Sequence, residues 1–159
     1  MLSVALSTVS APEPYVRHTR GYVRQPTPVG EVIKSLNITD AMVAAMPSSV
    51  DWAAQGALTP IKDQGQCGSC WAFSTTEGVE SAVWKATGKL PAPLSTEQLV
   101  DCEKQDDGCD GGDIPEAVRY LKKKGMATAK DYPDDSSKSG HTHKCTWDGE
   151  AEVSVTGFS

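Results

Sequence analysis

The sequence predicts an α+β fold that is mostly helical, with one long central helix, two shorter helices and a C-terminal strand. Apolar residues recur at spacings of three and four from Trp71 to about Thr87, which is the period of an α-helix. Two later segments, 95–102 and 113–124, each begin with a residue that can cap a helix. The tail, 151–158, alternates apolar and polar residues, as a strand does.

The long helix is expected to begin at Cys70 and to end before Gly88. Small apolar residues on several of its faces indicate a helix that is buried in the centre of a domain. Gly88 occupies the position where a glycine commonly ends a helix. Pro91 and Pro93 follow and require a loop.

The first of the shorter helices opens with a capping box. Ser95 can accept a hydrogen bond from a backbone N–H of the first turn, and Gln98 follows three residues later. The pattern predicts a short helix that ends near Cys102.

The second shorter helix follows a tight, glycine-rich turn at 108–112. Asp113 is a candidate N-cap, and Pro115 is tolerated in the first turn. The lysines at 122–124 are favourable at the negative end of the helix dipole, and Gly125 ends the helix.

Size and charge limit the classes of partner. The chain has 159 residues, which suits one domain, and its net charge of −6 argues against nucleic acid or an anionic membrane as the main partner. It contains no run of about 20 apolar residues, so no membrane-spanning segment is expected.

The N-terminal segment, 1–45, is predicted to be a largely irregular pro-segment or linker, because prolines interrupt it and three arginines make it mildly basic. An unstructured tail explains the same composition. Asn37 begins an Asn-Ile-Thr triplet, which fits the N-glycosylation pattern of a secreted protein.

The cysteines imply an oxidising compartment if they form disulfides. An odd number leaves one thiol free when two bridges form, and the spacing alone does not choose the pairing. The five cysteines are Cys67, Cys70, Cys102, Cys109 and Cys145.

The stretch 64–74 carries the chemistry. Cys70 lies at the start of the predicted long helix, where unpaired backbone N–H groups and the helix dipole favour a thiolate. Gln64, six residues earlier, can turn its side-chain amide toward the same point. An amide donor beside a nucleophile is what an oxyanion hole requires.

Residues 67–71, Cys-Gly-Ser-Cys-Trp, resemble the nucleophile segment of the papain-like cysteine peptidases. The resemblance implies that Cys70 is the nucleophile, that Gln64 donates to the oxyanion, and that Cys67 is half of a disulfide. It pairs Cys67 with Cys109, and leaves Cys102 to pair with Cys145. It also implies a set of substrate-binding residues: Gly68, Ser69, Trp71, Gly111 and Gly112.

The resemblance extends over residues 46–159, which correspond to the N-terminal, mostly helical half of a papain-like domain. In the family, the catalytic His and Asn lie about 130–150 residues beyond the cysteine. His18, His141 and His143 do not match that spacing and are expected to be ordinary surface histidines. The expectation is therefore a fragment of an endopeptidase that lacks its base and has little activity alone.

The resemblance also sets the expected partners and location. These are peptide or protein substrates, cystatin-like inhibitors, and the C-terminal half-domain that carries the base. No cofactor and no metal are expected. The compartment is expected to be a lysosome, a vacuole or the exterior.

Three other functions fit parts of the same sequence. A non-catalytic half-domain could bind peptides or inhibitors without cutting them. A redox protein would join Cys67 to Cys70, although the β-strand that normally precedes such a motif is missing. A zinc module would use Cys67, Cys70, Cys102 and Cys109, but the second pair is too widely spaced for a typical site.

Overall fold

The computed structural model describes residues 38–156. Its helices are α1 (Asp40–Ala44), α2 (Cys70–Thr87), α3 (Thr96–Cys102), α4 (Ile114–Lys124) and α5 (Ser136–Ser139), with a 3-10 turn at Gly108–Asp110. Within this range no helix has the length and apolar character needed to cross a bilayer.

Helix α2 is the centre of the fold, as the sequence predicts, and both α3 and α4 pack against it. It ends at Gly88, whose N–H donates to the carbonyl of Trp84 at 2.7 Å. The main core forms around the N-terminal half of α2, and its largest buried side chains are Trp71, Leu94, Leu99, Leu121 and Met126. Residues near Cys70 are therefore held by the best-packed part of the molecule.

Helix α3 begins at the predicted N-cap, Ser95, but only half of the capping box forms, because the Ser95 N–H donates to the carbonyl of Ala127 at 2.9 Å and not to the Gln98 side chain. The Ser95 hydroxyl accepts from the N–H of Gln98 at 3.0 Å, and the helix ends at Cys102. Every residue of α3 is buried. The polar side chains of this helix must therefore find partners inside the protein.

Helix α4 has the predicted range, but its cap differs from the prediction. Asp113 occupies the N-cap position, yet its side chain does not accept the capping hydrogen bond. Its backbone N–H donates instead to Oδ1 of Asp106 at 3.0 Å. Lys122, Lys123 and Lys124 lie in the last turn, and Gly125 ends the helix.

The predicted C-terminal strand is wrong for residues 151–156. Val153 forms a single antiparallel bridge with Met126, and no longer ladder exists there. The reason is the path of the partner segment: two residues after Met126, Thr128 pairs with Leu94 on a different segment. Residues 157 and 158 of the predicted strand lie outside the described part.

The N-terminal segment is described only from residue 38. Helix α1 lies in this short stretch, so the end of the segment expected to be irregular is helical. Thr39 caps it through its hydroxyl, and none of the residues in α1 is buried. Asn37 and the rest of the predicted pro-segment lie outside the described residues.

Candidate active site

Cys70 is the first residue of α2, and its thiol is half-buried. All five cysteines lie in the described range, and Cys70 alone is free. The structure joins Cys67 to Cys109 and Cys102 to Cys145, which is the pairing that the resemblance implies. A disulfide between Cys67 and Cys70, which the redox alternative needs, is therefore excluded.

The turn that precedes Cys70 is stabilised by two hydrogen bonds between its own residues. The Gln64 side-chain Nε2 donates to the carbonyl of Cys67 at 2.9 Å, and the N–H of Cys67 donates to the carbonyl of Gln64 at 3.3 Å. Gln64 is half-buried. A primary amide carries two N–H groups, so one remains for another acceptor while the other holds the turn.

Two further bonds fix this turn to the rest of the domain. The N–H of Gly68 donates to the carbonyl of Cys109 at 2.9 Å, beside the Cys67–Cys109 disulfide. The N–H of Gln66 donates to the carbonyl of Ser137 at 2.8 Å. A Cβ on Gly65 would stand 2.2 Å from that same carbonyl oxygen, so the close approach requires glycine.

Trp71 links the start of α2 to the glycine turn. Its indole is 1% exposed, and Nε1 donates to the carbonyl of Gly108 at 3.1 Å. The ring lies against Gly112, where a Cβ would come within 2.5 Å of it. Trp71 thus sets the distance between the start of α2 and the Gly111–Gly112 segment.

The five residues that the resemblance assigns to substrate binding lie together, around the start of α2 and the glycine turn. Their side chains and Cα atoms are buried within the described structure. Ser69 is 1% exposed and serves as the N-cap residue of α2. Ser69 and Trp71 therefore support the segment rather than present side chains at the surface.

His143 belongs to a different cluster of side chains. His143 Nδ1 lies 3.3 Å from Oε1 of Glu97 and 3.3 Å from the Ser136 hydroxyl, and its backbone N–H donates to Asp101 at 2.7 Å. Its side chain is 38% exposed. These contacts fasten the loop around α5 to the buried helix α3, which is a structural role.

Glu97, Asp101 and His143 are also the one group among residues 38–156 whose ligand atoms could surround a metal ion. Their oxygens already accept hydrogen bonds: Glu97 from both the N–H and the hydroxyl of Ser136, and Asp101 from the Tyr132 hydroxyl at 2.9 Å. Hydrogen bonds within the protein therefore satisfy the two carboxylates without a bound ion.

Burial raises the pKa of Glu97 above its ordinary value of 4.5. The hydrogen bonds from Ser136 oppose that shift, the nearby charge of Asp101 adds to it, and His143 lowers it again. The sequence reasoning missed this network. Part of the network could have been predicted, because Glu97 and Asp101 are four residues apart and therefore share one face of a helix.

An apolar groove runs along α2. It has a volume of about 520 Å³ and lies between α2, α4 and residues 153–156. Val79, Val83, Ile114, Val118 and Val155 contribute to its lining. Ile114, in the first turn of α4, is 40% exposed.

Comparison with known proteins agrees with this architecture. The family model described as papain family cysteine protease matches residues 46–159. The chain is 41% identical over 134 residues to a senescence-specific cysteine protease, SAG39, of Oryza sativa, a match that covers 79% of this chain and 38% of that protein. It is 50% identical over 93 residues to vignain of Phaseolus vulgaris, covering 57% of this chain and 25% of that protein.

Solved structures are similar as well. The cysteine protease CMS1MS2 of Carica candamarcensis, determined in complex with E-64, is 36% identical with a TM-score of 0.64, and the match covers 70% of this chain and 51% of that one. Recombinant stem bromelain precursor is 35% identical with a TM-score of 0.66, covering 75% of this chain and 38% of that one. The chain thus spans well under two thirds of the length of these relatives, and it belongs to the papain family of cysteine proteases.

Proposed function

We propose that this chain carries the nucleophile of a papain-like, cysteine-type endopeptidase. The observation that supports the proposal most directly is the state of Cys70: a free, half-exposed thiol on the first residue of an 18-residue helix. Backbone N–H groups in the first turn of a helix have no intrahelical partner, so they can bind an oxyanion that forms beside such a thiol. Four other cysteines of the same chain are consumed in disulfides.

The proposed reaction is acyl transfer through a thioester. The Cys70 sulfur attacks the carbonyl carbon of the peptide bond, a C–S bond forms, and the C–N bond breaks as the amine leaves with a proton from a general acid. Water then attacks the thioester, releases the carboxylic acid and restores the thiol.

Two donors are proposed for the negatively charged oxygen of the tetrahedral intermediate. One is the backbone N–H of Cys70, in the first turn of α2. The other is the second Nε2–H of Gln64, because the first N–H is directed to the carbonyl of Cys67. Loss of one such donor typically lowers the rate about 10²–10³-fold.

The general base is proposed to come from a complementary half-domain. His143 is engaged with Glu97 and Ser136, and His141 lies in the same loop as an exposed residue. The resemblance places the catalytic His and Asn well beyond the cysteine. This chain alone would then accept an acyl group from an activated ester, whose leaving group needs no proton, but would hydrolyse few peptide bonds.

The apolar groove beside α2 is the proposed docking surface for that half-domain. Its lining is mostly apolar, and the relatives have more than twice the matched length. Peptide or protein substrates and cystatin-like inhibitors would bind along the edge near Cys70, Gly111 and Gly112. The two disulfides fit an oxidising compartment, and we propose a lysosome, a vacuole or the exterior.

Covalent labelling tests the nucleophile. A peptide that carries an epoxide is incubated with the purified chain, and the site of modification is mapped by mass spectrometry. We expect one label per chain on Cys70, and none in Cys70→Ala. Reversible binding of the peptide without any label would instead support a non-catalytic binding domain.

A further inference from the structure

A buried carboxyl group beneath the glycine turn has an unusual environment. Asp106 lies in the loop between α3 and the 3-10 turn, and its side chain is 9% exposed. Its Oδ1 accepts from the N–H of Asp113 at 3.0 Å. Its Oδ2 is fully buried and has no hydrogen-bond donor within the described range. A buried oxygen without a donor is rare and costly, so it needs an explanation.

A second buried carboxyl group lies next to Asp106. Glu103, the C-cap residue of α3, is 5% exposed. Its own oxygens accept from the N–H groups of Gln105 at 2.9 Å and Asp106 at 2.6 Å. The bond to the Asp106 N–H brings the Glu103 carboxyl beside the Asp106 residue. Two carboxyl groups can share a hydrogen bond only when one of them carries a proton.

The surroundings favour that proton on Asp106. Burial is the largest effect and raises its pKa to about 7; the Asp113 N–H opposes the shift, and the charges of Glu103 and Glu116 add to it. Glu116, on α4, is itself paired with Arg119. The neutral indole of Trp71, on α2, lies against the same position at Gly112 as Cγ of Asp106.

Asp106 also touches the segment proposed to bind substrate. A Cβ on Gly112 would stand 2.8 Å from Cγ of Asp106 and 2.5 Å from the indole of Trp71, so Gly112 is enclosed by these two side chains. The next residue, Asp113, donates its N–H to Asp106. The side chain of Asp106 therefore determines where the backbone of residues 112 and 113 lies.

We propose that Asp106 and Glu103 share one proton, and that this acid pair positions the Gly111–Asp113 backbone for peptide binding. The effect on peptide binding rests on the proposed function, whereas the existence of the acid pair does not depend on it. While the proton is present, Oδ2 of Asp106 has a partner. When the proton is lost, two buried negative charges lie side by side and Oδ2 of Asp106 has no donor, so the segment loosens.

A bound cation would be the other way to satisfy two carboxylates. This site offers only Asp106 and Glu103 as close ligands, and the one three-residue group of metal ligands in the described range lies elsewhere. Hard cations such as Ca²⁺ take six or more oxygen ligands. A proton is thus the better fit.

The test compares two single variants. In Asp106→Asn, the amide oxygen still accepts from Asp113, and the NH₂ group donates permanently to Glu103, so the variant mimics the protonated pair at every pH. Asp107→Asn is the matched control, because it removes the same charge from the adjacent, exposed residue. Both are measured with the whole chain.

Two readouts are taken between about pH 5.5 and about pH 8.5, a range that brackets the expected titration. The first is urea-induced unfolding. The second is the rate of Cys70 labelling by the peptide epoxide, divided by its rate with iodoacetamide, which needs no peptide-binding segment. We expect this ratio to fall at least about tenfold with rising pH in the wild type and in Asp107→Asn, and to stay level in Asp106→Asn.

The outcomes separate the acid pair from the proposed function. If Asp106→Asn keeps the pH dependence of the wild type in both readouts, the acid pair is refuted. Millimolar Ca²⁺ could instead restore stability at high pH, with EDTA removing the effect. That result would show that a cation, not a proton, lies between the two carboxylates, and it would also refute the acid pair. If the peptide epoxide labels no variant while iodoacetamide does, the proposed function fails, and unfolding against pH still decides the acid pair.

Discussion

Gln64 and Cys67 bind each other twice, through the side-chain amide of Gln64 to the Cys67 carbonyl at 2.9 Å and through the Cys67 N–H to the Gln64 carbonyl at 3.3 Å. Cys67 is in turn fixed by its disulfide to Cys109. The Gln64 side chain, which is the proposed oxyanion donor, therefore keeps one orientation before any ligand arrives. Such preorganisation is what makes a donor effective in catalysis.

Replacement of that amide should affect only reactions that develop an oxyanion. We expect Gln64→Ala to slow the acylation of Cys70 by a peptide p-nitrophenyl ester about 10²–10³-fold, because one donor to the tetrahedral intermediate is lost. Alkylation by iodoacetamide passes through no such intermediate and should stay within about threefold of wild type. Gln66→Ala, at an exposed neighbour, is the control. Equal slowing of both reactions would show that Gln64 acts only on the turn.

Glu80 should be important for stability. It is fully buried in α2, and it accepts from the Lys62 ammonium at 2.6 Å, the Thr59 hydroxyl at 2.6 Å and the N–H of Leu94 at 2.8 Å. Glu80→Ala leaves these donors without their acceptor and should lower the free energy of unfolding by about 3 kcal/mol.

The matched control for Glu80 is Glu77→Ala, which removes an exposed carboxylate from the same helix. It should change the free energy of unfolding by less than about 0.5 kcal/mol in urea titrations. Similar losses for the two variants would mean that the buried network contributes nothing beyond helix propensity.

The close packing around Gly112 predicts opposite effects for two glycine substitutions. Gly112→Ala places a Cβ 2.5 Å from the Trp71 ring and should cost about 1–3 kcal/mol of stability. Gly78→Ala lies in α2, where an added Cβ meets nothing within 4 Å, and should stabilise by about 0.5–1 kcal/mol. Thermal unfolding of both variants measures the contrast, and a tolerated Gly112→Ala would contradict the described contact.

The raised pKa of Glu97 predicts that the free energy of unfolding falls as the pH rises. Because burial raises its pKa in the folded chain, the folded state binds more protons than the unfolded state above the ordinary value of 4.5. Its contribution is thus complete below about pH 4.5 and is lost as the pH passes the folded pKa. Glu97→Gln keeps an oxygen for Ser136 and should flatten the free energy of unfolding over this range. If the free energy of unfolding of Glu97→Gln varied with pH as steeply as that of the wild type, Glu97 would not be the source of the pH dependence.

Local sequence determined the helices and much of the site. Gly88 and the Ser95 N-cap act within one turn, so α2 and α3 could be predicted closely. The Cys70 region was readable because its motif is contiguous. The resemblance also implied the disulfide partners that the structure shows.

Features that depend on distant segments could not be read in the same way. Residues 151–156 alternate like a strand, but only Met126 is available as a partner to Val153. Asp113 resembles a cap, yet Asp106, seven residues earlier, determines its hydrogen bonding. The burial of Glu80 and Glu97 depends on donors that lie 14 to 39 residues away in the chain.

The central claim is that Cys70 is an acylating nucleophile, and intact-protein mass spectrometry tests it most directly. The chain is mixed with one equivalent of a peptide p-nitrophenyl ester, quenched in acid and weighed. We predict a single acyl adduct, mapped to Cys70, cleaved by hydroxylamine and lacking in Cys70→Ala. An unmodified wild-type chain that is folded and still alkylated by iodoacetamide at Cys70 would contradict the account.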